Sequence, residues 1–344
     1  MPARPQHDPL VKTWLSAVFL MILAMTMIGG ITRLTGSGLS MVQWHPLMGA
    51  LPPLNEAAWA EVFELYKQTP QYTQVNDWME LADFKQIFFW EYLHRLFGRS
   101  IGLVVAGPWL VLLGMRRLDR SLALKTLGLI ALGGSQGLLG WYMVKSGLVE
   151  DPHVSHLRLA AHLCLAFVVA QAVLWVRLGL SPMAPGTAPA SRGFRSAVLL
   201  TWALVILQVL WGAFMAGTRA GWVSSTFPSM NGFYSPMPWI DAQQGFFAST
   251  VFVPGAIHWV HRALAFVVLG ACLALAGAAI RRGGALRAPG IGLGTAVLAQ
   301  FGLGMATVLL SVPIPVAVAH QGMALLLLST VTWLGHRSLG IRRP

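Results

Sequence analysis

With 344 residues, 56% of them hydrophobic and only 10% charged, the chain is too apolar for a soluble globular protein and reads as an integral membrane protein. A formal net charge of +12 would point to nucleic acid in a soluble protein, but here the basic residues cluster in short loops between apolar runs, which excludes that partner. The two cysteines, Cys164 and Cys272, both lie inside apolar runs, so neither zinc-site spacing nor a loop disulfide is available, and they read as buried thiols.

Crossing a bilayer as a helix takes roughly 20 apolar residues. Runs of that kind are predicted near Leu15 to Ile31, Ile87 to Met115, Leu124 to Val144, Leu157 to Val176, Ser196 to Ala216, Ala256 to Ile280, Gly290 to Ser311 and Val316 to Leu334. The first has a basic start, as a secretory signal does. Its length, and the lack of a small-x-small cleavage site in GGITRLTGSG, make it an uncleaved span instead. Arg116, Arg117, Arg120 and Lys125 follow the second span, and Arg177, Arg192 and Arg195 the fourth. Arg281, Arg282 and Arg287 follow the sixth, and Arg337, Arg342 and Arg343 the eighth. By the positive-inside rule these loops, with Arg4 and Lys12, face the cytoplasm. Both termini are therefore expected to be cytoplasmic, in a multi-pass protein of the inner membrane. The opposite loops hold nearly all the acids, among them Glu56, Glu61, Glu64, Asp77, Glu80, Asp83, Glu150, Asp151 and Asp241.

Two strings match, EYLHRLFGRSIGLVV from Glu91 and HWVHRALAFVVLG from His258, so the chain reads as one four-span unit written twice. The expected fold is all-α, with eight transmembrane helices in two pseudo-symmetric four-helix bundles, residues 1–180 and 196–344. The Pro- and Ala-rich segment SPMAPGTAPASRG lies in a cytoplasmic linker, 181–195. Long outer loops, about Thr32 to Lys85 and Gly217 to Gly255, exceed simple turns. Their tryptophans, Trp44, Trp59, Trp78, Trp222 and Trp239, either fold over the bundle mouths or form an interfacial belt.

His94, His162, His261 and His320 each lie within one or two turns of the outer end of the second, fourth, sixth and eighth spans. Ionisable side chains inside a membrane tend to face the bundle interior, and haem iron accepts one imidazole on each face. His94 with His162, and His261 with His320, are the natural pairs; interhelical hydrogen bonding or a proton relay is the other reading. Arg95 and Arg262 directly follow two of these histidines, and Arg99 lies a turn beyond. A guanidinium there either forks onto a haem propionate or anchors a helix end. Glu91 precedes His94 by three residues, which puts both on one helix face. This Glu-x-x-His spacing also occurs in di-iron bundles, but the further carboxylates such a centre needs are missing. His258 stands at the matching place in the second half, so only the first pocket has an acid beside its metal, and the reaction is expected there. His7 and His336 are placed in cytoplasmic tails and His45, His153 and His156 in outer loops, all solvated.

These residues resemble the haem A synthase family, of the type shared by alphaproteobacteria and mitochondria. The resemblance covers almost the whole chain: GGITRLTGSGLSMVQWHPLMGALPP from Gly29, FKQIFFWEYLHRLFGRSIG from Phe84, QGLLGWYMVKSGL from Gln136, VSHLRLAAHLCLA from Val154, GAFMAGTRAG and TFPSMNG, HRALAF and AHQGMALLL. It implies an enzyme that converts the C8 methyl of haem O to a formyl group by successive hydroxylations. It further implies His94 and His162 as ligands at the substrate site with Glu91 beside them, and His261 and His320 as ligands of a resident haem b. A haem O synthase as supplier and cytochrome oxidase assembly factors as partners belong to the same expectation, while the sequence leaves the oligomeric state open, a homo-oligomer among the options. The chain departs from the family in two places. It lacks the cysteine pair that some bacterial relatives carry in the first outer loop, and Gly36 in RLTGSGLS stands where the mitochondrial type has an acid. Two rival readings remain: a membrane haem carrier or exporter, and a diheme b-type electron-transfer protein.

Overall fold

The structure is a computed structural model that describes residues 8–43, 51–149, 151–181 and 189–340. Arg4, His7, Trp44, His45, Glu150, Arg342, Arg343 and part of the linker lie outside the described residues. Eight helices are long and apolar enough to cross a membrane: α1 (Pro9–Leu34), α3 (Leu81–Gly114), α4 (Arg120–Lys145), α5 (His156–Gly179), α6 (Arg192–Gly217), α8 (Pro254–Arg282), α9 (Arg287–Leu309) and α10 (Ile314–Ser338). Two shorter helices, α2 (Glu56–Lys67) and α7 (Gly245–Phe252), belong to the long loops. All ten are α-helical, and among the described residues the only β-type pairing is an isolated bridge between Met230 and Phe233.

Polar residues at the predicted boundaries start the helices by accepting from their free N–H groups. Asp8 caps α1 at the Leu10 amide, with Pro9 in the first turn; Asp119 caps α4, Ser155 caps α5 and Ser191 caps α6. Ser191 accounts for a difference from expectation. It lets α6 begin at Arg192, inside the segment read as linker. His156 likewise opens α5 rather than lying in a loop, with its ring against Phe214 and Phe252. His336 falls in the last turn of α10 against Trp175, not in a tail. In both cases an aromatic contact gives the ring a partly buried place that hydropathy does not reveal.

Neighbouring helices close two rings. One is α1, α3, α4 and α5, the other α6, α8, α9 and α10, and the rings meet where α1 and α5 pack on α10 and α6. At that seam Gln321 Nε2 donates to the Thr26 carbonyl at 2.6 Å. A Cβ on Gly30 would lie 3.2 Å from Gln321 Oε1, and one on Gly322 3.2 Å from Met27, so small residues set the approach of α1 to α10. The main apolar core follows the same seam, through Leu15, Val18, Phe167, Val205, Leu325 and Leu328.

The rings differ in packing. Between Glu91 and Leu112 α3 has no buried residue, and α4 has none after Thr126. By contrast, α8 buries Val268, Cys272, Leu275, Ala276 and Ala279 in its span, and α9 buries Leu293, Ala296 and Val297. The end of the molecule that carries the long loops is called upper here. With 34 residues α3 is about 51 Å long, which exceeds a hydrocarbon core of about 30 Å. It starts six residues before the predicted span, and its upper turns pack Phe84, Ile87 and Phe88 onto Phe63 and Tyr66 of α2 as a small aromatic cap. Burial pushes the Tyr66 phenol in this cap up to about 12.

Candidate functional site

Each of the four histidines lies against a glycine of an adjacent helix in its ring. A Cβ built on Gly29 (α1) would stand 3.3 Å from His94 Nε2, and one on Gly140 (α4) 2.9 Å from His162 Cε1. In the second ring Gly212 (α6) and Gly304 (α9) stand in the same relation to His261 Cε1 and His320 Cε1, at 3.2 and 3.0 Å. Such close contact leaves the rings little room to turn. The pairs expected from sequence are also brought together: His94 is within electrostatic range of His162, and His261 of His320.

Three glutamines complete the arrangement. Gln136 Nε2 donates to the His162 carbonyl at 3.0 Å and lies 3.1 and 3.4 Å from the two nitrogens of that ring. Gln208 repeats this at His261, with distances of 3.0, 3.2 and 3.3 Å, and Gln300 Nε2 lies 3.5 Å from His320 Nε2. Each glutamine precedes its glycine by four residues, on the same helix face. Sequence reading missed them. Their signal was the spacing Gln-x-x-x-Gly recurring in three spans, which a single buried glutamine does not reveal. In α1 the matching place before Gly29 is Met25.

At the upper end the two rings carry the same latch in two chemistries. Glu91, 2% exposed, accepts from Ser40 Oγ and the Met41 amide, each at 2.7 Å, and pairs with Arg95 four residues on. Arg95 in turn donates to the carbonyls of Met41 and Gln43. In the second ring the fully buried His258 accepts from Arg262 Nε at 2.9 Å. Arg262 donates to the carbonyls of Ser224, Thr226 and Ser229 at 3.2, 2.6 and 3.1 Å. Both arginines thus tie a long loop down over a histidine pair, a role beyond the propionate pairing or helix-end anchoring that their place in the sequence suggests. Arg99 remains on α3, one turn below Arg95.

His261, His320 and Arg262 line one cavity, with apolar walls from Phe227, Phe301, Val209 and Val297. Two imidazoles, apolar walls and a guanidinium suit a flat macrocycle with carboxylates better than a bare ion. Among the described residues no group of three or more His, Cys, Asp or Glu is placed to hold a metal alone, and a porphyrin supplies the ligands that two histidines leave over. Gly30 and Arg33 of α1 also line this cavity, so one wall comes from the other ring. The loop tryptophans divide. Trp222 lines the cavity beside Arg33, Trp239 presses on Gly255, and Trp59 packs on Phe88, while Trp78 is exposed.

Residues 12–332 match the model of the COX15-CtaA family, described as cytochrome oxidase assembly proteins. A haem A synthase of Rhodospirillum centenum is 45% identical over 95% of this chain and 87% of its own length. One of Nitrosospira multiformis is 43% identical over 95% and 92%, and one of Rhizorhabdus wittichii 42% identical over 100% and 97%. With two histidine pairs in two rings and likeness along its whole length, the chain belongs to the COX15-CtaA family of cytochrome oxidase assembly proteins.

Proposed function

We propose that this membrane protein is a haem A synthase, which oxidises the C8 methyl of haem O to a formyl group for cytochrome oxidase assembly. The observation that carries the reading is the apolar cavity lined by His261 and His320, with His94 and His162 at matching places in the other ring, in a chain whose relatives along its length bear that name. The first ring, residues 1–180, takes haem O as substrate; the second, 196–344, holds haem b. When bound, haem b supplies one-electron redox chemistry beside the substrate. His261 and His320, beside Gln208 and Gln300, would hold its iron.

In the first ring His94 and His162 position the substrate, and Gln136 fixes the orientation of the His162 ring. Glu91 holds the Ser40 and Met41 segment over the site through Oε2, which accepts from both, while Oε1 pairs with Arg95. The same carboxylate is placed to accept or orient a proton at the methyl carbon. Arg95 and Arg262 close the loops above the two sites. The lightly packed faces of α3 and α4 open this ring to lipid, which suits a substrate with a farnesyl tail. A haem O synthase in the same membrane supplies that substrate.

The lower end, with Arg116, Arg117, Arg120, Arg281 and Arg282, faces the cytoplasm together with both termini. Both sites then lie toward the outer face of the inner membrane. The test is to express the protein with a haem O synthase in a host lacking haem A, and to identify the extracted haems by chromatography and mass. Haem A or its hydroxymethyl precursor, present only with the intact protein, is expected. Unchanged haem O beside a haem-loaded protein would overturn the reading in favour of a carrier or an electron-transfer protein.

A further inference from the structure

We propose that Arg33, a residue of the first ring, anchors a carboxylate of the cofactor held in the second. The inference rests on the reading that His261 and His320 hold haem b. Arg33 ends α1, yet its side chain lines the His261 and His320 cavity. There its guanidinium stands 5.8 Å from the centre of the Trp222 ring. Among the described residues it forms no ion pair with a carboxylate.

The charges around it have the same sign. Arg219, in left-handed backbone just after α6 with φ 56°, interacts electrostatically with Arg33, and both act on His153. Burial, Arg219 and Arg33 together hold His153 below its ordinary value, against Asp151, whose carboxylate lies 3.6 Å away. An excess of positive charge beside an apolar cavity is costly unless an anion joins it. The cavity's own arginine serves poorly for that, because Arg262 already spends donors on His258 and three loop carbonyls. A planar guanidinium matches a carboxylate with two parallel hydrogen bonds. The helix that carries Arg33 is held against the helix that carries His320, since Gln321, the next residue on α10, is hydrogen-bonded to Thr26 of α1. The seam between the rings is therefore part of the cofactor site.

The test measures transfer of haem to excess apomyoglobin from purified protein: wild type, Arg33→Gln, Arg33→Lys and Arg219→Gln. Each is loaded with haem b or with its dimethyl ester. Arg33→Gln is expected to release haem b about tenfold faster or more, the effect of one charge-assisted hydrogen bond. Arg33→Lys should fall between, and the differences should vanish with the ester, which has no carboxylate. Equal release of haem b from wild type and Arg33→Gln, or the same ratio with the ester, would overturn the proposal. Should Arg33→Gln fail to fold, Arg33→Lys against wild type, acid against ester, carries the same decision. A wild-type b-type spectrum that survives in both His261→Ala and His320→Ala sinks the underlying site instead. A spectrum that depends on both histidines, with release indifferent to Arg33, sinks only the anchor.

Discussion

The two rings share their histidine and glycine geometry and part at Glu91, which is His258 in the second, and at Met25, which stands where the second has Gln208. Glu91 neutralises Arg95 where they meet. His258 cannot do the same for Arg262, because while its Nε2 accepts from the guanidinium that nitrogen carries no proton and the ring no negative charge. The upper end of the second ring is therefore left positive, and Arg33 and Arg219 add to it. The first is balanced and its α3 and α4 are lightly packed, whereas the second is charged and tightly packed. A positive, closed pocket favours keeping an anionic porphyrin; a balanced pocket with a loose wall favours exchanging one. On the proposed division of labour, a few side chains and the packing of two helices would separate retention from turnover in two copies of one unit.

The sharpest way to break this comparison is to remove the ligands one ring at a time. His261→Ala or His320→Ala is expected to abolish the low-spin b-type spectrum of protein made without haem O, whereas His94→Ala or His162→Ala leaves it intact. Loss in the second pair of variants would exchange the roles of the rings. Next in size is Glu91. Glu91→Ala leaves the half-buried Arg95 without its carboxylate, a loss below the about 3–5 kcal/mol of a fully buried pair, and removes the proton acceptor, about a hundredfold in rate. Hydrogen exchange at residues 39–43 reads the first effect and haem A formed per unit time the second. Glu91→Gln separates them, because an amide can still accept from Ser40 and Met41 but cannot take the proton. Normal conversion of haem O by Glu91→Ala would remove Glu91 from the mechanism.

A smaller effect is expected where glycine meets imidazole. Gly304→Ala places a methyl 3.0 Å from His320 Cε1, which costs about 1–3 kcal/mol if the ring must turn. It should change the electron paramagnetic resonance g values of the haem b. Gly140→Ala should spare that signal and slow haem A formation, and Gly137→Ala, with open space at its Cβ, should do neither. The smallest effect lies at the lower end. Asp8 caps α1 and pairs with Arg117 at 2.9 Å. Burial raises its carboxyl, but Arg117 and the Leu10 amide outweigh that, and the net shift is downward. A depressed carboxyl stabilises above its unfolded value, about 3.9, and that contribution fades as pH falls through the folded one. Asp8→Ala should cost about 1 kcal/mol at pH 7 and progressively less in acid, read by thermal unfolding; a loss that grows in acid would contradict the pairing.

The eight spans were legible because apolar length needs no tertiary information. The four histidines stood out because a polar ring deep in such a run is rare. Gln136, Gln208 and Gln300 were as deep and went unnoticed, since a single amide in a helix looks tolerated until its fourfold spacing to glycine is compared across spans. The engagement of Glu91 with Ser40 and Met41 joins residues fifty positions apart, and the closeness of Arg33 to His320 spans most of the chain. No local pattern encodes either. Arg95 and Arg262 were found by their place after histidine, but their loop carbonyls could only be read from the folded chain.

The contact between α1 and α10 has a consequence in time. Helices enter the membrane in the order of synthesis, so the first ring and its Arg33 are in place before α10 is made. The second cavity gains His320 and its wall from α1 in one event, when the Gln321 amide meets the Thr26 carbonyl. Capture of the proposed cofactor would thereby wait until the eighth span has docked, and a nascent chain halted before that point would present only half a grip.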